Sequence, residues 1–167
     1  DGTDWTAVNE PGFGSPIINP AIYDMVEFKG QLYAGTGWGS STGQIWRSPD
    51  GTTWEQVVGD GFGDPANDAI GALTVFSDTL YAVAQYTGKG LAIWSSPTGD
   101  PLSWTRVVDN GRGDPTNLGI TGFAMFDGYL YAAVFPTTGH ASKVWRSANG
   151  TVWEPIITDG FGNPNNT

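Results

Sequence analysis

Apolar residues along this chain occur in short runs, and Gly, Pro, Asn or Asp breaks each run before a helix of ordinary length is complete. Val, Ile, Ala and aromatic residues dominate the runs, which is typical of strands. In the middle of the chain the runs predict strands at 69–76, 80–85, 92–96 and 103–108. We therefore predict an all-β protein of short strands and many turns.

The same order of landmarks returns about every 49 residues, as four tryptophans show: Trp5, Trp54, Trp104 and Trp153. Between successive tryptophans come a Gly-Phe-Gly type loop, a Leu-Tyr-Ala run and an Ile/Val-Trp-x-Ser run. Four antiparallel strands per period of this length are typical of a β-propeller blade. A β-sandwich is the alternative, but it does not predict near-identical copies at a fixed spacing.

We predict a propeller segment of three four-stranded antiparallel blades plus one extra N-terminal strand. The predicted units are a lone outer strand at 1–10, blades at 11–60, 61–109 and 110–158, and the start of a further repeat loop at 159–167. Propellers close with roughly 4 to 8 blades. The chain is therefore expected to be an excerpt of a longer protein or to complete a ring by self-association.

Composition narrows the function classes. The formal net charge of −10 disfavours nucleic acid as a partner, because phosphate binding needs basic patches. No apolar run approaches the roughly 18–20 residues of a membrane span. The chain has no Cys and a single His, which excludes thiol chemistry and a Cys/His zinc site.

The turn before each tryptophan carries a recognisable motif. Residues 48–54 read Ser-Pro-Asp-Gly-Thr-Thr-Trp, residues 147–153 read Ser-Ala-Asn-Gly-Thr-Val-Trp, and residues 1–5 are a truncated copy. This turn resembles the Asp-box, or BNR, repeat of sialidase-type β-propellers. The resemblance implies a folding device remote from the ligand face. The predicted structural residues are Trp5, Trp54, Trp104, Trp153, Asp50 and Asn149.

Sialidases of that shape need an arginine cluster, a tyrosine with a glutamate, and an acid/base aspartate. The four arginines here are spread over the repeats: Arg47, Arg106, Arg112 and Arg146. Asp24 and Glu27 interrupt the repeat, but residues three apart in a strand point to opposite faces, so they do not form the carboxylate pair of a glycosidase. We therefore predict that the chain is not an enzyme.

Loops between the second and third strands differ from repeat to repeat, whereas the strand landmarks are shared. An aromatic side chain beside hydroxyl and amide groups is what a sugar ring requires, since its faces stack and its hydroxyls form hydrogen bonds. Packing of these aromatics over the blade ends, and a solvated loop histidine, are the alternatives. The candidate ligand-binding residues are Trp38, Tyr86, Phe135 and His140.

Two loops between blades are acidic and glycine-rich. Oxygen ligands at short spacing suit Ca²⁺, although Asp, Asn, Gly and Pro are also ordinary turn residues. The candidate Ca²⁺ ligands are Asp60, Asp64, Asn67, Asp68, Asp109 and Asp114. No other cofactor is predicted.

These observations predict a secreted or cell-surface recognition module that binds carbohydrate without catalysis. Its expected partners are a glycan or surface polymer, and either further copies of itself or the remaining blades of a longer chain. One alternative is a structural repeat of a surface layer or filament that assembles through blade edges. A second alternative is a fragment of a sialidase-like glycoside hydrolase.

Overall fold

A computed structural model describes residues 2–14, 19–37, 42–86 and 88–166, with Tyr86 described by its backbone only. These residues contain twelve strands and two single-turn helical segments, Pro11–Gly14 and Asn110–Gly113. The strands are β1 (Ala21–Phe28), β2 (Gln31–Gly37), β3 (Gln44–Ser48), β4 (Glu55–Val58), β5 (Asn67–Phe76), β6 (Thr79–Tyr86), β7 (Ala92–Ser96), β8 (Thr105–Val108), β9 (Asn117–Phe126), β10 (Tyr129–Pro136), β11 (Lys143–Ser147) and β12 (Glu154–Ile157). The all-β prediction is confirmed.

Each successive group of four strands forms an antiparallel meander, which we call the first, second and third meander. Within each meander every strand pairs with the next one along the chain. The first and second meanders join in one sheet through a bridge between Gly37 and Ala69. The third meander is a sheet of its own.

The first strand of every meander (β1, β5 and β9), which we call the innermost strand, carries a bulge at the same place. The register shifts between Ile22 and Asp24 in β1, and between Ile70 and Ala72 in β5. In β9 the shift falls opposite Ala133 and Val134 of β10. A bulge leaves one residue out of the ladder and redirects its side chain. The bulged residue differs in each meander: Tyr23, Gly71 and Thr121.

The core fills the spaces between meanders. One cluster lies between the first and second meanders and includes Phe28, Tyr33 and Ile70. The other lies between the second and third and includes Tyr81 and Trp145. Removing these large apolar surfaces from water is the main term that holds the meanders together.

Three sequence predictions fail. The predicted N-terminal strand does not form, since the described residues 2–10 hold no strand and pair with none of the described strands. Trp5, predicted to be structural, is 90% exposed for the same reason. Phe135 and Tyr86 belong to β10 and β6 rather than to loops, since their strands extend further than the sequence indicated. No helix of the described residues has the length and apolarity to cross a membrane.

Candidate functional site

Asp50 and Asn149 organise the turns between the third and fourth strands of their meanders. Asp50 Oδ1 accepts hydrogen bonds from the N–H groups two and three residues ahead, at 2.8 and 2.6 Å. Asn149 Oδ1 does the same at 3.0 and 2.9 Å. These bonds hold the pKa of the Asp50 carboxyl well below its usual range. Both side chains therefore act within their own turns.

The tryptophans after these turns pack against other aromatic or backbone groups. Trp54 meets Phe13 edge to face, with ring centroids 5.2 Å apart, and Trp104 meets Phe62 in the same way at 5.4 Å. Trp153 is buried, and its indole N–H donates to the carbonyl of Gly150 at 3.1 Å. These three side chains contribute to packing.

The aromatic ligand-binding candidates do not form one platform in the described part of the chain. Trp38 lies outside the described residues, and the side chain of Tyr86 is not described. Phe135 packs over Gly119 on the neighbouring strand, so closely that a Cβ there would collide with the ring. His140 is exposed, and its backbone N–H donates to Thr137 in a turn.

The acidic loops are occupied by turn contacts and by lysines. Lys89 Nζ lies 3.5 Å from Asp64, and Lys143 Nζ lies 2.7 Å from Asp114. Asp60 and Asp109 accept hydrogen bonds from backbone N–H groups of their own loops at 3.0 and 2.9 Å, and the Asn67 amide donates to Gly61 at 2.7 Å. Among the described residues, no three His, Cys, Asp or Glu side chains come together to hold a metal.

The arginines do not converge on a common substrate position. Arg47 pairs with Glu55 and Asp100, at 2.5 and 2.8 Å, in contacts that raise its pKa against the effect of burial. The other three have separate contacts: Arg106 with Asp109, Arg112 with the Trp145 ring, and Arg146 with Glu154. The arginine cluster expected of a sialidase is not assembled by these residues.

Three polar residues that break the repeat lie on the innermost strands of the first and second meanders: Tyr23, Asp24 and Asp68. The position of Tyr23 holds Gly71 and Thr121 in the other two repeats, and that of Asp24 holds Ala72 and Gly122. The position of Asp68 holds Pro20 and Leu118. The break in the repeat was the sequence signal for all three. We singled out Asp24 for that break, named Asp68 only as a candidate Ca²⁺ ligand, and did not single out Tyr23.

Tyr23 and Asp68 are close enough to interact. Burial raises the pKa of the half-buried Tyr23 phenol, and the negative charge of Asp68 raises it further. Asp24 reaches across to the second meander, where Oδ2 accepts a hydrogen bond from the Leu73 N–H at 2.8 Å. Glu27, in contrast, accepts from Gly30 in the following turn. At the β1–β5 junction, therefore, a phenol interacts with the Asp68 carboxylate, while the Asp24 carboxylate is bound to backbone N–H groups of Met25 and Leu73. Carboxyl and phenol groups are suited to general acid–base work.

A second candidate feature is a groove on the second meander. It has a volume of about 660 Å³, and Asp64, Asn67, Lys89, Trp94 and Arg106 contribute to its lining. It lies between the loop that precedes β5 and the strands β7 and β8. The groove is therefore built from a different set of residues from the β1–β5 junction.

Comparisons with solved structures identify a shared fold. The chain is similar to a Bombyx mori GH32 β-fructofuranosidase with sucrose bound (TM-score 0.51, 16% identity, 84% of this chain and 36% of that one). It is also similar to a glycosyl hydrolase from Bacteroides ovatus (TM-score 0.52, 16% identity, 81% and 48%). A third structure is a family 117 glycoside hydrolase from Zobellia galactanivorans (TM-score 0.50, 14% identity, 81% and 45%). No protein-family model and no curated protein matches the sequence.

These comparisons correct the prediction that the chain is not an enzyme. The similar structures are glycoside hydrolases of the β-propeller type, drawn from several families. At this level of identity the likeness establishes the fold, and the chain spans less than half the length of each of the three. The absence of a sialidase arginine cluster argued only against one kind of glycosidase, so it was too narrow a reason to reject catalysis.

Proposed function

We propose that this chain is a segment of a glycoside-hydrolase-type β-propeller, in which each meander is one blade, and that it acts on a carbohydrate. The observation that carries the proposal is the placement of Asp24 and Asp68 on adjacent innermost strands. Both carboxylates replace non-ionisable residues of the repeat, and the fold is shared with glycoside hydrolases.

The proposed reaction requires few catalytic groups. Glycoside hydrolysis generally uses two carboxyl groups: one protonates the leaving oxygen, and the other acts as nucleophile or activates water. We assign these roles to Asp24 and Asp68 as a pair, with Tyr23 positioned by Asp68. Since the arginines are engaged elsewhere, a neutral sugar fits better than a sialic acid. The Asp-box resemblance remains a proposal, which the turn contacts of Asp50 and Asn149 support.

The test is a turnover assay of the purified chain on a panel of 4-nitrophenyl glycosides and sucrose. We expect release of product from at least one substrate, and a fall of 100-fold or more in kcat/KM for Asp24→Asn and Asp68→Asn, because loss of a catalytic carboxylate removes transition-state stabilisation. Asp78→Asn is the matched control, since Asp78 is exposed in the turn after β5 and contacts only Lys29 among the ion pairs.

Two results would overturn the proposal. One is the absence of turnover on every substrate of the panel. The other is turnover that both Asp24→Asn and Asp68→Asn leave at the level of Asp78→Asn. Circular dichroism of each variant shows whether a loss of turnover comes from unfolding, because Asp24 also binds the Leu73 N–H.

A further inference from the structure

One position at the start of the third strand distinguishes the meanders from one another. It holds Gln44 in the first, Ala92 in the second and Lys143 in the third. Gln44 is buried, and its Oε1 accepts from Asn19 Nδ2 at 2.8 Å and from Trp46 Nε1 at 3.0 Å. In the first meander this side chain therefore fills the space between the loop asparagine and the strand tryptophan.

The third meander fills the same space with a different group. Lys143 Nζ donates to Asp114 Oδ2 and to Asn117 Oδ1, both at 2.7 Å. The opening that remains there is about 290 Å³. The first and third meanders thus place a polar side chain, Gln44 or Lys143, beside the loop asparagine, which is Asn19 or Asn117.

The second meander has only the methyl group of Ala92 at this position. The groove beside it is about 660 Å³, roughly twice the opening on the third meander. Trp94 lines the groove, and its indole N–H is buried without a hydrogen-bond partner among the described residues. The equivalent indole of Trp46 has its partner in Gln44. A buried donor without an acceptor is unfavourable, so this position favours an incoming acceptor.

We propose that the Ala92 groove binds a neutral saccharide. A sugar hydroxyl would accept a hydrogen bond from the Trp94 indole, as the Gln44 amide accepts one from Trp46 in the first meander. The same hydroxyl would donate to the loop before β5, as the Lys143 ammonium donates to the corresponding loop of the third meander. The charged side chains of the groove pair with each other, Asp64 with Lys89 at 3.5 Å and Asp109 with Arg106 at 3.2 Å, so the lining has no net charge to select an ion.

The size of the groove agrees with this ligand class, because small-molecule sites generally measure about 300–1,000 Å³. The inference rests on the carbohydrate part of the proposed function but not on catalysis, since Asp24 and Asp68 do not line the groove. It therefore adds a binding site to the proposed catalytic one.

The test replaces Ala92 by the residues that the chain itself uses elsewhere. Isothermal titration of the full chain with methyl glycosides, sucrose, maltose and cellobiose measures binding. We expect at least one saccharide to bind, and Ala92→Gln to weaken that binding at least 10-fold, with a melting temperature equal to or above that of the parent chain. Ala92→Lys provides a second filling variant if Ala92→Gln folds poorly.

Ala133→Gln is the matched control, because it makes the same substitution at an exposed strand position outside the groove. Binding retained by both filling variants, or no binding of any saccharide by the parent chain, would overturn the proposal. Asp24→Asn separates the two sites: loss of turnover with binding retained leaves the groove assignment standing, whatever the outcome for catalysis.

A second inference comes from the faces between meanders. Phe28 and Tyr33 of the first meander are 3% and 1% exposed and belong to the core between the first and second meanders, where the turn at Gly99 of the second covers the Tyr33 ring. Tyr81 is covered in the same way by Gly150 of the third meander. At each junction the glycine has no room for a Cβ beside the tyrosine ring.

The outer face of the third meander carries the same kind of aromatic surface, but no glycine turn of a following meander covers it among the described residues. Phe126 stands where Phe28 stands in the first meander, and it is 71% exposed; the neighbouring Met125 is 67% exposed. At the other end of the chain, Gly51 occupies the place of Gly99 and has no described atom within 4 Å of a Cβ built on it. The two open faces are therefore the two halves of the interface that the chain already makes twice.

We infer that the open face of the third meander binds the first meander of a second copy of this chain. Two copies joined at both ends would form a ring of six meanders, which is within the range of about 4 to 8 blades that close a propeller. Sedimentation velocity should show a dimer for the parent chain and a monomer for Phe126→Asp.

Leu102→Asp is the control, since Leu102 is fully exposed but lies in a turn away from the face. It should remain dimeric. A parent chain that is monomeric across the concentration range, or a Phe126→Asp chain that dimerises as the parent does, would refute the inference.

Discussion

Phe62 stacks face to face on Trp94, with ring centroids 4.5 Å apart and planes 7° from parallel. Phe62 comes from the loop before the second meander and Trp94 from its third strand, so one ring ties the loop to the sheet. Phe13 and Trp46 repeat the contact at 4.7 Å and 8°. In the third meander Arg112 replaces the phenylalanine, and its guanidinium lies 5.5 Å from the Trp145 ring.

Phe62→Ala should lower the free energy of unfolding by about 2 kcal/mol, because it removes both apolar burial and an aromatic pair. Phe161→Ala is the matched control. Phe161 holds the same repeat position but is 70% exposed, so its loss should change stability by less than about 0.5 kcal/mol. Urea unfolding of the two variants measures the difference, and equal losses would contradict the structural role of the stack.

Arg112→Phe should allow a phenylalanine to stack on Trp145 in the third meander, as Phe13 and Phe62 stack on Trp46 and Trp94 in the other two. An exposed cation–π contact contributes about 0.5–1 kcal/mol and a stacked aromatic pair about 0.5–1.5 kcal/mol beyond its buried area. The variant should therefore be as stable as the parent or slightly more stable, while Arg112→Ala should be less stable. Thermal unfolding ranks the three proteins, and a destabilised Arg112→Phe would show that the loop needs its arginine.

Gly99→Ala and Gly51→Ala separate backbone strain from crowding, because both glycines have φ of 76°. An alanine in this left-handed region costs about 1–2 kcal/mol at either position. Only at Gly99 does the new Cβ also meet the Tyr33 ring. We expect Gly99→Ala to lose about 2 kcal/mol more than Gly51→Ala in chemical unfolding of the Phe126→Asp chain, in which no second copy covers Gly51. Similar losses of unfolding free energy in the two variants would mean that the Tyr33 ring moves aside at little cost.

The Asp114–Lys143 pair should make stability depend on acid pH. The hydrogen bond from Lys143, together with one from Thr116, lowers the pKa of Asp114 to about 2. This value is below the unfolded pKa of about 3.9, so the stabilisation is present above that pKa and is lost as pH falls toward 2. Solvent screens a carboxylate that is 42% exposed, so we expect a contribution of about 1 kcal/mol.

Lys143→Gln, which introduces the residue of the first meander, should remove most of this contribution at pH 7. The difference from the parent should shrink between about pH 4 and pH 2 as Asp114 becomes protonated. Lys29→Gln is the control, because its pair with Asp78 is far more exposed and should contribute little. A difference that does not vary with pH would assign the effect to packing of the lysine stem.

The periodicity of the chain was enough to predict its strands. The four strands predicted between residues 69 and 108 match β5 to β8 to within two residues at each end. Apolar runs, turn residues and a fixed period are local properties, and strand formation follows them closely. The N-terminal strand failed because pairing is not local: residues 3–9 carry a strand pattern, but none of the described strands pairs with them.

The candidate site needed the tertiary structure. The sequence pointed to Asp24 and Glu27 as breaks in the repeat and indicated that they do not form a carboxylate pair, but it did not show what either side chain contacts. Folding turns Glu27 to its own hairpin and brings Asp24 to the backbone of the second meander. It also places Tyr23 within reach of Asp68. Sequence order alone does not show which innermost strands become neighbours, because the packing of whole meanders decides it.

For the groove at Ala92, too, the sequence determined one part and the tertiary structure another. The sequence contains Gln44, Ala92 and Lys143 at one repeat position, and so it determines that the second meander has the smallest side chain there. Only the folded chain shows that the other two fill a space between an asparagine and a tryptophan. A repeat fixes which positions are equivalent, whereas a cavity depends on side chains brought together from distant loops and strands.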